Sequence, residues 1–384
     1  MPSAPLYFDY AATTPVDDRV IEAMLACLGR DAHFGNPASS GHAYGQTARQ
    51  LVEQARRQVA EQIGAQPQDL VWTSGATESN NLALKGIAQG AGQPGHLLTS
   101  QLEHKAVLDT AAELERQGWA VTRLMPDAAG LISAQAVRQA LREDTRLVSL
   151  MAVNNELGTV TDFAAIGEVV REHGALLHVD AAQAVGKVAI DLGRQAVDLM
   201  SFSAHKVYGP KGIGALYVGP RARAQLHAQM HGGGHEGGLR SGTLATHQIV
   251  GMGSAFALAG KPGEGEQQRI HQLAERLRQG LLALPGVTLN GCPVQRIPNT
   301  LNLRIEANGF NSAALAGELA LSTTSACNSA SNAASHVLLA LGLSEQQARS
   351  SVRISLGRYT SEADVDTAIA LFARVLGAAA VALW

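Results

Sequence analysis

Between residues 44 and 64, apolar residues fall at Ala48, Leu51, Val52, Ala55, Val59 and Ile63. That i, i+3/i+4 rhythm predicts an amphipathic helix. Short apolar runs then alternate with helical segments, at residues 70–73, 96–100, 120–124, 146–153, 175–179, 199–203 and 213–218. Strands buried on both faces read as continuous apolar runs, and helices between them make most neighbours parallel. The pattern changes after about residue 258. Lys261-Pro262-Gly263-Glu264-Gly265 is a break, a charged helix runs to about Leu284, and residues 300–305 read as a strand before two further helices. Thr360-Ser361-Glu362-Ala363-Asp364 has the form of a capped start to the last helix. The expectation is an α/β protein. A large domain (residues 16–258) carries a mostly parallel seven-stranded sheet, and residues 1–15 and 259–384 form a small α+β domain.

Composition narrows the classes. The chain has 384 residues, 46% of them hydrophobic, and a formal net charge of −3, so no basic field draws it to nucleic acid. The apolar tail, 367–384, is interrupted by Arg374 and is too short to span a bilayer, so a docked helix is expected. Met1 to Tyr10 has neither a basic start nor an apolar stretch, and no signal peptide is expected. The three cysteines, Cys27, Cys292 and Cys327, form no C-x-x-C pair, which points to a reducing, cytoplasmic setting.

Open α/β sheets bind ligands beyond the carboxyl ends of their strands, and four such ends carry polar chemistry. Thr73-Ser74-Gly75-Ala76-Thr77-Glu78 opens a helix whose free N–H groups suit an anion; a simple cap is the alternative. Asn154-Asn155 follows the fourth run, and buried asparagines need partners. His178-Val179-Asp180-Ala181-Ala182-Gln183 ends the fifth; Asp180 is either a helix cap or a carboxylate for a pyridine nitrogen. Ser203-Ala204-His205-Lys206 ends the sixth, where a lysine either stays solvated or forms a Schiff base.

In that order, the segments resemble the fold-type I, class V aminotransferase-like enzymes that use pyridoxal 5′-phosphate, and among them the cysteine desulfurases. The resemblance runs from about Tyr7 to Tyr359, through Phe8-Asp9-Tyr10-Ala11-Ala12-Thr13-Thr14-Pro15, Phe34-Gly35-Asn36-Pro37, Glu103-His104-Lys105 and Arg240-Ser241-Gly242-Thr243. It implies that Lys206 forms the Schiff base and later moves protons, that Asp180 pairs with the ring nitrogen, and that Gln183 bonds the phenolic oxygen. His104 would stack on the ring as an acid or base. Ala76, Thr77, Ser203 and His205 would hold the phosphate, with Thr243 joining from the neighbouring subunit of a homodimer. Asn155 is assigned to cofactor and substrate, and Asn36 and Arg353 to the substrate carboxylate, for which a guanidinium fork is suited. No metal is expected; His231 and His235 lack a third ligand at suitable spacing.

Cys327 decides the reaction, because transamination needs no cysteine. It lies in Ser322-Thr323-Thr324-Ser325-Ala326-Cys327-Asn328, a small polar stretch able to carry a thiol to a site. The resemblance implies that Cys327 attacks the sulfur of L-cysteine and keeps it as a persulfide for a sulfur-acceptor protein. Cys27 falls in the apolar pattern of Val20, Ile21, Met24 and Leu25 and reads as core; Cys292 has no assigned role. Three departures stand out: Thr324 and Asn328 flank the nucleophile where the family has glycine and threonine, Gly237 replaces an arginine, and the chain stops at Trp384 without a longer tail. The alternatives are a class V aminotransferase, a selenocysteine lyase, or an inactive sulfur-relay subunit.

Overall fold

The computed structural model describes residues 4–260, 265–306, 310, 314–323 and 334–377. A short strand, β1 (Leu6–Tyr7), precedes α1 (Asp18–Leu25) and α2 (Ala43–Gln62). The Nδ1 of His42 accepts the Gly45 amide and so caps α2, whose buried stripe Ala48, Val52, Ala55, Val59 is the one the periodicity predicts.

The main sheet comprises β2 (Leu70–Thr73), β3 (His96–Ser100), β4 (Ala120–Leu124), β5 (Thr145–Met151), β6 (Leu176–Asp180), β7 (Leu199–Ser203) and β8 (Gly214–Val218), in the spatial order β2-β8-β7-β6-β5-β3-β4. Pairs among β3 to β7 are parallel, and β8 runs antiparallel to both β2 and β7. The short link from β7 to β8 accounts for that reversal, since a parallel return needs a crossover of a dozen or more residues. Six strands therefore still point their carboxyl ends the same way.

Helices α3 (Ala76–Gly90), α4 (Lys105–Arg116), α5 (Ala134–Ala140) and α6 (Phe163–His173) make the crossovers. Asp162 caps α6 by accepting the Ala165 amide, and Gly174 ends it at φ 94 in the left-handed region. After α7 (Pro220–Arg223), α8 (Thr246–Ala257) lies on α2. The approach is close: a Cβ on Gly253 would sit 2.6 Å from the Ala55 Cα.

A second core forms around Phe8, Leu277, Leu303, Ile354 and Phe372. It is built by α9 (Gly265–Leu282), β9 (Val287–Leu289), β10 (Thr300–Ile305), β11 (Leu319–Ala320), β12 (Ser322–Thr323), β13 (Ser351–Ser355) and α12 (Glu362–Val375), with α10 (His336–Ala340) and α11 (Glu345–Arg349) inserted before β13. Its sheet has the order β12-β13-β10-β9, and β1 joins β11 in parallel. Ser361 and Asp364 close the capping box of α12 at the position read from sequence. Val337 and Leu338 of α10 instead pack into the core of the main sheet. Among the described residues, no helix is long and apolar enough to cross a membrane.

Candidate active site

The carboxyl ends of the main sheet open into a cavity of about 710 Å³. Its floor is the end of β6, where Asp180 is buried. The Asn80 amide donates to Asp180 Oδ2 at 2.7 Å, and the Ala182 N–H donates to Oδ1 at 3.0 Å. Both bonds hold the side chain in one orientation. Below it, His178 spans three strands, bonded to Ser149 Oγ at 2.8 Å and Ser201 Oγ at 2.9 Å. Burial lowers its pKa to about 3, so this histidine is a neutral strut.

Lys206 ends the turn after β7, and its Nζ donates to the Ala11 and Ala12 carbonyls at 2.7 and 2.6 Å. Two residues on, Tyr208 takes φ 65, a left-handed conformation that costs a non-glycine residue about 1–2 kcal/mol. Thr14 Oγ1 accepts its N–H at 2.8 Å and its carbonyl accepts the Asp17 N–H at 3.0 Å. The N-terminal segment thus pins the lysine turn from both sides.

The opposite end of the cavity is the N-terminus of α3. Gly75 precedes it with no side-chain cap, so Ala76 and Thr77 present first-turn amides to the cavity. A Cβ on Gly214 would stand 2.6 Å from the Gly75 Cα and 2.4 Å from the Phe202 carbonyl, so only glycine lets these backbones close into a cradle. Ser203 and His205 line the same end. Burial, then Lys206 and Lys211, lower the His205 pKa to about 4. Glu78 accepts the Ser74 N–H at 2.7 Å and pairs with Arg240 at 2.8 Å. Burial works to raise its pKa, but these bonds outweigh it and the net direction is down.

His104 caps α4, its Nδ1 accepting the Ala106 N–H at 3.1 Å, which leaves the ring proton on Nε2. Much of its surface opens into the cavity although protein surrounds the ring. Burial lowers its pKa, and Lys206 and His336 add to this against the pull of Asp180. The acceptor bond at Nδ1 and the lowered pKa both favour the neutral ring. Gln183 and Asn155 also line the cavity. The buried asparagine of that pair is Asn154, whose partners are all internal: its Oδ1 accepts the Glu156 and Leu157 amides and its Nδ2 donates to Leu102 O.

On the second core's side stands Arg353, buried on β13. It donates to Asn155 O at 2.9 Å, Asp9 Oδ1 at 2.8 Å and Ser322 Oγ at 2.8 Å, and its Nε has no partner among the described residues.

The cavity therefore brings together Ala76, Thr77, His104, Asn155, Asp180, Gln183, Ser203, His205, Lys206 and Arg353. It does not bring in Asn36, which is exposed with its Oδ1 on the Ala38 N–H at 2.9 Å, or Thr243, which is exposed. Cys327, with Thr324 and Asn328, lies outside the described residues. The other two cysteines are away from the cavity: Cys292 Sγ accepts the Gln295 N–H, and Cys27 is buried just beyond α1. Cys27 is core as read, but Ile21 and Leu25 of its expected apolar stripe are exposed because α1 buries only Val20.

Sequence reading missed Asp9, Asn80 and Ser322 as partners of the predicted residues. Asn80 was findable, since it lies three residues after Thr77 on the helix that opens the site. Asp9 and Ser322 carry no local signal.

The fit to pyridoxal 5′-phosphate rests on the chemistry of these donors. An uncapped helix N-terminus in a glycine cradle suits a phosphate, a buried carboxylate suits a pyridine nitrogen, and an amine lines the same cavity.

The aminotransferase class-V family matches residues 6–368. The cysteine desulfurase IscS of Acinetobacter baumannii (strain AYE) is 57% identical over 365 residues, covering 94% of this chain and 90% of that protein. The cysteine desulfurase IscS of Azotobacter vinelandii is 55% identical over 366 residues, covering 95% and 91%. Among solved structures, one described as SspA in complex with cysteine superposes with a TM-score of 0.83 at 43% identity, over 92% of this chain and 99% of that one. The chain belongs to the aminotransferase class-V family, in its cysteine desulfurase branch.

Proposed function

We propose that this desulfurase takes sulfur from L-cysteine with pyridoxal 5′-phosphate held at Lys206, leaving L-alanine and a persulfide on Cys327. The observation that carries it is one cavity joining an uncapped, glycine-cradled helix N-terminus, a lysine and a buried aspartate. When bound, the cofactor supplies an electron sink that weakens the substrate's Cβ–Sγ bond. Asp180 supports a proton on the ring nitrogen, fixed in place by Asn80 and the Ala182 amide. Gln183 would donate to the phenolic oxygen, and His104 would exchange protons from Nε2. Ala76, Thr77, Ser203 and His205 hold the phosphate, and Lys206 removes the Cα proton.

Arg353, with Asn155 beside it, orients the substrate carboxylate, and Asn36 is a further ligand reached once the site is complete. The Cys327 thiolate then attacks the substrate sulfur. The new S–S bond replaces the broken Cβ–S bond, Cβ takes a proton, and Cα regains the one that Lys206 removed, giving alanine. Support for Cys327 comes from its neighbours: Ser322 and Ser335, described on either side of its segment, both line the cavity, and neither other cysteine does.

The same reading includes a homodimer in which Thr243 completes the partner's phosphate site. Its support is the exposed position of Thr243 and an apolar patch at Leu25, Phe34 and Tyr44, exposed by 59%, 53% and 60%, of a kind that marks an interface. It also includes the division into residues 16–258 and residues 1–15 with 259–384, supported by the separate second core. A cytoplasmic setting keeps Cys27 and Cys292 as the free thiols found here. The persulfide passes to an acceptor protein for iron–sulfur cluster assembly or another thio-cofactor or thio-nucleic-acid pathway.

The test measures alanine released from L-cysteine by cofactor-loaded parent and Cys327→Ala, with a thiol reductant present. Alanine from the parent and almost none from the variant supports the proposal. Equal alanine from both removes Cys327 from the mechanism, and none from the parent directs attention to amino transfer or selenocysteine.

A further inference from the structure

Behind Gln183, away from the cavity, lies a lysine that the mechanism does not use. Lys187 donates from Nζ to Gln183 Oε1 at 3.1 Å, while Gln183 Nε2 donates to the Ala11 carbonyl at 2.7 Å. Lys187 shows a little of its length to solvent, but its amine end is enclosed by protein. It faces a small void shared with Tyr10, Thr14, Lys206 and Arg358. Burial, and after it Arg353, lower its pKa to about 8.

A carboxamide has two ends of nearly equal shape, so packing alone does not choose between its orientations. The choice matters here. One orientation turns an N–H towards the cavity, and the other turns a carbonyl oxygen there, which repels an anionic oxygen. An ammonium can only donate, so a flipped Gln183 would set two donors against each other at Lys187 and two acceptors at Ala11. One Nε2 hydrogen is used by Ala11, and the second is free to face the cavity.

We propose that Lys187 is a positioning residue that locks the Gln183 amide with Nε2 towards the cavity, so that the cofactor's phenolic oxygen meets a donor. The inference rests on the cofactor assignment made under Proposed function. A donor at that oxygen favours its ionised form, so losing the lock raises the pH at which the bound cofactor's visible absorption changes form.

The experiment compares parent, Lys187→Met and Lys187→Arg, each loaded with pyridoxal 5′-phosphate, by following the visible band against pH and the melting of the apo-proteins. Lys187→Met, of similar length with no donor, should raise the midpoint by roughly half to one pH unit, the Ala11 anchor being left in place. It should also lower kcat more than it changes KM. Lys187→Arg, which keeps donors, should return the midpoint to the parent value. A parent-like midpoint in Lys187→Met overturns the inference, and so does a loss of apo-protein stability with the midpoint unmoved, which marks a purely structural lysine. If Lys187→Met does not fold, Lys187→Gln, whose end can turn either way, should raise the midpoint too, and an unmoved midpoint there overturns the inference. A parent that binds no cofactor overturns the functional reading together with the inference, so the two failures are distinguishable.

Discussion

Replacing Glu103 by glutamine should make the protein more stable in mildly alkaline solution. Glu103 is buried where β3 ends, directly before His104. Its Oε1 accepts from Ser100 Oγ at 2.6 Å and from the Met151 N–H at 3.2 Å, while Oε2 has no partner among the described residues. Burial is the main cause that lifts its pKa from 4.5 to about 8, and the charge of Asp180 adds to it against the two hydrogen bonds. The folded state therefore binds a proton that the unfolded state has already lost above its own pKa. Stability falls as pH rises through the interval from about 4.5 to about 8 and is level above it. At about 1.4 kcal/mol per pH unit, the whole interval amounts to at most about 5 kcal/mol, and half of that is a realistic expectation once protein relaxation is allowed.

Glu103→Gln keeps the acceptor for Ser100 and Met151 and removes the titration. Urea unfolding of the apo-protein at pH 5 and pH 8.5 measures the effect: the parent should lose about 2–4 kcal/mol between them through this one group, and the variant should lack that part of the slope. Equal pH dependence in both proteins would refute the assignment of a protonated Glu103. Alanine production should stay within a few-fold of the parent, because the side chain does not line the cavity.

Three further outcomes are expected. Asp180→Ala should keep cofactor binding through Lys206 but lower kcat by at least about a hundredfold, read by alanine release; a loss under tenfold would remove its role at the ring nitrogen. Arg353→Lys keeps the charge and loses the fork, so KM for L-cysteine should rise about ten- to a hundredfold with kcat less affected. An unchanged KM would place the substrate carboxylate elsewhere. Gly214→Ala drives a Cβ to 2.4 Å from the Phe202 carbonyl and against Gly75; it should weaken cofactor retention on dialysis more than it lowers the melting temperature of the apo-protein, and intact retention would separate the cradle from phosphate binding.

The sequence by itself determined most of the strands and named most of the polar residues that line the cavity. Residues 70–73, 96–100, 120–124 and 199–203 are strands with the bounds read from their runs, because a strand in the middle of a covered sheet is buried on both faces and so mostly apolar. The strand at 120–124, on the sheet edge, is only partly buried and carries Thr122 and Arg123. Asp180, Lys206 and Ala76–Thr77 were legible for a related reason: polar residues that interrupt such runs lie at strand ends, where the sheet opens. The direction of β8 is not carried by its apolar run, which is the same read in either sense, and follows only from the short link after β7. Nor was Cys292's isolation from the cavity, or the exposure of Asn36 and Thr243 in the single chain.

Only the tertiary structure decided how the site is held. Asp9 meets Arg353 across 344 residues of chain, and Asn80 meets Asp180 across 100. Periodicity reports how deeply each residue is buried along its own element, and it carries no information about which distant element arrives opposite. That is settled when the N-terminal segment crosses to β11 and β13, places the Ala11 and Ala12 carbonyls over Lys206, and sets Asp9 beside Arg353. The bonds that orient Lys206 and Arg353 from the N-terminal segment form only on that closure.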